Sequence, residues 1–283
     1  MKSENFDIIF LGLVRDCENY IGNFFKTIEE IRKYKKIKVI IGENNSDDFT
    51  FDLIQKNLQT NNCIEFIDTT FIEKFSDRIK RLALAREKIK NYIKSKNYQS
   101  EFICVVDLDD VISQNFSLNL IEELINQLKM NKSSYFGISV SSKPYYYDIL
   151  NYESEEFPNR SIKQIQNIRS IFSYNKRKKL IYNVQKKLSL KKSFDCISGF
   201  NGLCIYFYED YINSNYIKNS QIEDPEPEHL FLNRNIHSKT KKKILVTENY
   251  FKMPSEHKPL SNFLFFLIEK LLKYILIYKK KIF

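Results

Sequence analysis

Residues 102–112 read Phe-Ile-Cys-Val-Val-Asp-Leu-Asp-Asp-Val-Ile, or FICVVDLDDVI, and the rest of the chain is arranged around them. Phe102 to Val106 is a run of mostly apolar, β-favouring residues of strand length. It ends in three carboxylates within four residues, Asp107, Asp109 and Asp110. Ionised carboxylates this close repel one another, so a buried strand ending in them calls for a cation or a basic ligand among them. An all-carboxylate set suits a hard ion such as Mg2+ or Mn2+, and Mg2+ commonly keeps waters while bridging to substrate phosphates. The plainer reading is a strand followed by an acidic turn that caps a helix.

Toward the N-terminus, strand and helix patterns alternate. Phe6 to Val14 is an unbroken apolar run, and Cys17 to Tyr34 follows with Tyr20, Ile21, Phe24, Phe25, Ile28 and Ile31 at helical spacing. Lys38 to Ile41 starts a second strand that ends in the polar turn 42–48, with a helix from there to Leu58. Asn62 to Asp68 predicts a third strand, and Asp77 to Ile93 an amphipathic helix carrying Arg78, Arg81 and Arg86. Four such alternations predict an α/β, Rossmann-like, mainly parallel sheet with helices on both faces. In such sheets ligands bind beyond the carboxyl ends of the strands. Arg15 and Asp16, Glu43 to Asp48, and Asp107 to Asp110 all fall there. The glycines of a dinucleotide or Walker loop are missing after the first strand, which excludes that kind of NAD or ATP site.

Downstream, Phe116 to Met130 reads as a helix and Tyr135 to Val140 as a strand. A less regular region opens at Lys143, and 161–190 is basic and helical in pattern. Phe194 to Tyr208 resumes β-character around a turn holding Gly199, Asn201 and Gly202, two of only six glycines in the chain. A short helix to His237 and a last strand, Ile244 to Phe251, complete the order.

The 283 residues suffice for one large α/β domain, expected over 1–255 with a first half, 1–142, and a second, 143–255. The formal charge is +10, with lysines bunched at 176–179, 186–192, 239–243 and 279–281. The plain reading of such runs is a solvated surface, and no nucleic-acid partner is expected. None of the five cysteines has a metal-ligand or C-x-x-C spacing, and the N-terminus lacks a secretory pattern; a cytoplasmic setting is expected. Residues 256–283 form a basic tail whose segment Asn262 to Lys280 predicts an amphipathic helix. Its apolar face, from Phe263 to Ile275, lies beside a stripe with Glu269, Lys270 and Lys273, the pattern of a helix lying in the plane of an anionic membrane. It is too short and too charged to span one.

Seven words, LVRDCENY (13–20), IGENNSDD (41–48), RIKRLALARE (78–87), VVDLDD (105–110), PYYYDIL (144–150), SGFNGLCIY (198–206) and PEPEHLFLNRNIH (225–237), occur in the order found in GT-A fold glycosyltransferases. Taken as an ordered set, the chain most resembles bacterial and viral relatives of the fungal capsule-associated mannosyltransferases. The resemblance implies a nucleotide-sugar donor, a glycan or lipid-linked glycan acceptor, and a role in surface polysaccharide, lipopolysaccharide, capsule or glycoprotein glycan synthesis. It makes 1–142 the donor half and 143–255 the acceptor half, and gives a D-x-D that holds Mn2+ or Mg2+ against the donor diphosphate. Arg86-Glu87 departs from the family's frequent Arg-Asn.

On this reading Asp107, Asp109 and Asp110 are the metal ligands, with His237 able to add a nitrogen. Arg78, Arg81 and Arg86 are basic helpers for the diphosphate. Arg15, Glu43 and Asn44 join Asp107 on the nucleotide, while Tyr147, Asp148 and Asn201 face the acceptor. Inversion at the sugar requires a general base, expected at Glu228, with Asp224 the alternative. A lipid-linked acceptor would place the enzyme at the inner membrane face. VVDLDDVI also fits the first motif of haloacid-dehalogenase-type phosphatases, but three βα units precede it where that motif belongs on the first core strand. A non-catalytic carbohydrate- or membrane-binding module of the same fold is the other alternative.

Overall fold

The computed structural model describes residues 3–110, 116–158, 181–217 and 226–253, all within one unit, Met1–Met253. The N-terminal half runs β1 (Glu4–Val14), α1 (Glu18–Ile31), β2 (Ile37–Glu43), α2 (Thr50–Thr60), β3 (Ile64–Asp68), α3 (Arg78–Ser95) and β4 (Tyr98–Val106). It continues through α4 (Leu118–Met130), β5 (Tyr135–Lys143), the two-residue β6 (Tyr152–Glu153) and a helical stretch, α5, over 181–189. The remainder is β7 (Phe194–Cys196), β8 (Ser198–Gly199), β9 (Leu203–Phe207), α6 (Tyr208–Ile212), α7 (Glu228–Thr240) and β10 (Lys243–Lys252).

Eight strands form one sheet in the order β3-β2-β1-β4-β9-β5-β10-β7, and β6 pairs with β8 in a second, small ladder. The first four strands are parallel to one another, as expected from the alternating pattern. Their order turns at β1: the chain builds outward to β2 and β3, then returns to lay β4 on the other side. That reversal opens a crevice above the carboxyl ends of β1 and β4, where an open α/β sheet binds its ligand.

Alternation along β1 explains why the sheet is covered twice. Ile8 and Phe10 enter a core closed by Phe24, Phe25 and Ile28 of α1 and Ile121 and Leu124 of α4. Ile9 and Leu11 enter the opposite core, with Ile89 and Ile93 of α3 and Leu232 and Ile236 of α7. The α3 helix is held at its start by Asp77, whose side chain accepts from the Lys80 N–H, and it buries two charged residues, Arg86 and Lys90, among its apolar ones.

The stretch 194–208, expected as one β-rich turn region, divides among three strands and ends in α6. Its last strand, β9, inserts antiparallel between β4 and β5, so the sheet is mixed. The expected basic helix is described only over 181–189. The remainder of that prediction and the amphipathic tail lie outside the described residues. No helix among the described residues is long and apolar enough to cross a membrane.

Candidate functional site

The end of β4 is fixed by two contacts. Leu108 is buried directly over β1 at Gly12, where an added Cβ would stand 2.4 Å from the Leu108 Cδ1. The N–H of Asp107 donates to the carbonyl of Gly202 at 2.8 Å, and Gly202 has a left-handed φ of 84° that suits glycine. With Leu108 committed to the core, Asp107 and Asp109 on either side of it remain half-buried.

Asp107 meets Arg86: Oδ1 lies 3.1 Å from Nη2, with the arginine side chain 6% exposed and the aspartate 20%. The same guanidinium reaches across to Glu228 at the start of α7, Nε to Oε1 3.5 Å. Burial opposes the charge on Arg86, and Asp107 foremost, with Glu228 among the others, holds it in place. Burial pushes the Asp107 carboxyl well above its usual range; Arg86 opposes the rise, and Asp109, Asp148 and Glu228 add to it. Four carboxylates therefore share one electrostatic neighbourhood with a single buried arginine.

Asp148 belongs to that group. Burial, assisted by Glu228, pushes its carboxyl up to about 7, against hydrogen bonds from Asn151 and the charge of Arg78. Its Oδ2 accepts from Asn151 Nδ2 at 2.7 Å and its Oδ1 from the Asn151 N–H at 3.2 Å. Asn151 Oδ1 in turn accepts from the Leu230 N–H at 2.9 Å, which ties Asp148 to the first turn of α7. Asn201 is wholly buried, taking the Asp148 N–H at 2.9 Å and donating to the Val140 carbonyl at 3.2 Å. Both ends of its amide are thus engaged within the protein. The phenol of Tyr147 is raised by burial and then by Asp107, Asp148 and Asp109, so its ring borders the same cluster.

At the ends of β1 and β2 two turns are laced together. Ser46 Oγ accepts from the Asp16 N–H at 3.1 Å, Asp16 Oδ1 from the Asp47 N–H at 2.8 Å, and Thr50 Oγ1 from the Cys17 N–H at 2.7 Å. Arg15 pairs with Asp16 and Asp47, each at 3.5 Å. Glu43 is 4% exposed, with Oε1 accepting from the Ser46 N–H at 2.6 Å, so its carboxylate faces its own turn. Asn44 holds its N–H on the Val14 carbonyl at 3.2 Å, and its Oδ1 is buried with no hydrogen-bond partner among the described residues.

The remaining expected residues are dispersed. Arg78, exposed at the start of α3, acts electrostatically on Asp148 and Tyr147, whereas Arg81 and Arg86 diverge by about 140° around the helix. His237 sits near the far end of α7 from Glu228, about 13 Å along the axis, and its Nδ1 lies 2.6 Å from the Lys242 carbonyl. Asp224 lies outside the described residues. Asp110 is half-buried at the edge of the described chain. The sequence did not single out Asn151, though an Asp three residues ahead of it is a capping signal.

No group of three or more His, Cys, Asp or Glu side chains among the described residues is arranged to hold a metal ion. The donor chemistry still fits one, because Mg2+ is commonly held by one or two carboxylates plus substrate phosphates and water, and Asp107 and Asp109 are two half-buried carboxylates at the end of β4.

No family model matches the chain, and no curated protein matches it. Solved structures do. Residues 1–349 of S. aureus TarS share 10% identity over 88% of this chain, TM-score 0.48. Mannosyl-3-phosphoglycerate synthase from Rubrobacter xylanophilus shares 7% over 98% of this chain and 75% of its own, TM-score 0.49. Glucosyl-3-phosphoglycerate synthase from Mycobacterium tuberculosis shares 10% over 90% and 73%, TM-score 0.49. The chain spans 60% of the TarS fragment. At this level of likeness, what the crevice does has to be read from its own side chains.

Proposed function

We propose that this chain is a glycosyltransferase that moves a sugar from a nucleotide-sugar donor to a glycan or lipid-linked glycan acceptor. The observation that carries the reading is the pair Asp107 and Asp109, half-buried just past the end of β4, with Asp107 backed by the buried Arg86. Asp107 and Asp109 would hold a divalent cation, Mn2+ or Mg2+, which supplies Lewis-acid stabilisation to the leaving diphosphate when bound.

The residues divide the remaining work. Arg86 offsets the carboxylate repulsion that would otherwise disperse the cluster. Arg78, exposed at the start of α3, would turn toward a diphosphate, and Arg15 and Asn44 would contact the nucleotide. Tyr147, next to Asp148, would face the acceptor. Glu228 is the general base expected from the sequence. A second assignment favours Asp148, because its carboxyl, pushed up to about 7, is suited to accept a proton near neutrality. A peripheral contact of the basic tail with anionic membrane, in a cytoplasmic enzyme, would bring it to a lipid-linked acceptor. A phosphatase using Asp107 as nucleophile is disfavoured by the arginine already on that carboxylate.

The test is hydrolysis of a panel of UDP-, GDP- and CMP-sugars by the full chain with Mn2+ and with EDTA. Metal-dependent release of nucleotide from at least one donor is expected. Release from none, or release that EDTA leaves unchanged, contradicts the reading.

A further inference from the structure

Lys90 is a lysine with no exposed surface, one turn beyond Arg86 on α3. Lysine is almost never buried so completely unless its charge is paired. All three of its ammonium protons have an acceptor: the Ser214 carbonyl, Asn215 Oδ1 at 2.8 Å and Glu87 Oε1 at 2.7 Å. The second oxygen of Glu87 accepts from the Tyr216 N–H at 2.9 Å. Two residues about one turn apart on α3 thus grip three consecutive residues of the segment that follows α6.

That segment carries Tyr216, whose buried ring stands edge-on to His229, centroids 5.7 Å apart and planes at 78°. His229 lies flat on Phe200, centroids 3.6 Å apart and planes at 6°, and the Arg86 guanidinium is 5.8 Å from the Phe200 centroid. The path therefore returns to α3 after passing through the residue next to Glu228. His229 has both ring nitrogens buried without a hydrogen-bond partner among the described residues, with the Glu228 Oε1 3.7 Å from its Nε2. Its position depends on the two aromatic faces. Around it stand Arg86 of α3, Glu228 beside it on α7, Tyr216 and Phe200, and burial, with Arg86, keeps it neutral.

We propose that Glu87 and Lys90 are positioning residues of the transfer site: by fixing Ser214 to Tyr216 they clamp His229 on Phe200, and so set where Glu228 meets Arg86. The proposal rests on the glycosyltransferase reading for its catalytic consequence, but not for its structural one. Misplacement of about an ångström by a change remote from the chemistry can cost as much as ~10²-fold in rate.

The experiment compares full-length wild type, Lys90→Met, Asn215→Ala and Asn215→Asp by donor turnover and by the ring-proton NMR signals of the chain's three histidines. In Lys90→Met, kcat is expected to fall ~10- to 100-fold with donor KM little changed. The His229 signal, expected to be silent to pH in the wild type, should in this variant begin to titrate toward the ordinary value of about 6.5. Asn215→Ala, at an exposed position, should show the same two effects more weakly, and Asn215→Asp, which keeps the acceptor, should reverse them. If Lys90→Met does not fold, the Asn215 pair decides. Unchanged kcat and a silent His229 in folded variants, with only a lower Tm, overturn the proposal. If the wild type turns over no nucleotide sugar, the functional reading fails, and the His229 signal alone still decides the clamp.

Discussion

One buried guanidinium joins the two halves of the crevice: Arg86 stands 3.1 Å from Asp107 at the end of β4, and its Nε 3.5 Å from Glu228 at the start of α7. Removing one member of such a buried set leaves the others uncompensated, at a typical cost of about 3–5 kcal/mol. Arg86→Met should therefore be strongly destabilised in urea unfolding. A loss below ~1 kcal/mol would mean that Asp107 and Glu228 are stable without the arginine.

Asp148 gives the protein a pH dependence of definite sign. Its carboxyl rises from an ordinary 3.8 to about 7 on folding. Between those values the folded protein keeps a proton that the unfolded chain has released, so this group's contribution to stability falls as pH rises toward 7 and levels off above it. Asp148→Asn lacks that dependence. Its Tm relative to wild type should improve from pH 4 to pH 8, and a difference that stays constant over the range contradicts the assignment.

The general base is assigned by two substitutions measured together. Glu228→Gln should lower transfer by roughly 10²- to 10⁴-fold while leaving donor affinity intact. If turnover instead survives in Glu228→Gln and is lost in Asp148→Asn, the proton goes to Asp148.

Gly12 tests how the acidic turn is held. In Gly12→Ala the new methyl group displaces Leu108, the residue between Asp107 and Asp109. Overpacking of this kind costs about 1–3 kcal/mol. Metal-dependent turnover should fall further than that loss of stability explains, and a variant with full turnover would show that the turn adapts without Leu108.

The basic tail has its own test. The intact chain should sediment with anionic liposomes at low salt and be released as salt is raised, while a chain ending at Pro259 should stay folded and bind donor. An intact chain that ignores the liposomes removes the membrane contact.

Much of this architecture was legible in the sequence because its signals are local. The apolar runs of β1, β2 and β4 and the 3.6-residue spacing in α1 and α3 depend on near neighbours alone, and so does the position of Asp107 at a strand end. The antiparallel insertion of β9 between β4 and β5 was not legible, since strand pairing across about a hundred residues leaves no periodic mark. The same holds within the crevice. Arg86 could be noted as a basic residue near the site, but not as the partner of both Asp107 and Glu228. Glu43, read as a nucleotide contact, faces Ser46 of its own turn. Asn151 and Lys90 acquire their roles only from groups brought beside them by folding, at Leu230 and at Ser214 and Asn215.

The most direct measurement is metal-dependent nucleotide release from a nucleotide sugar by wild type, Asp107→Asn and Asp109→Asn, with the fold of each checked by circular dichroism. Wild type should release nucleotide with Mn2+ and not with EDTA. Both variants should be inactive yet folded, with Asp107→Asn the less stable of the two because it removes the principal partner of the buried Arg86. Full activity in either variant, or wild-type activity that persists in EDTA, would contradict a metal-bound diphosphate at the end of β4.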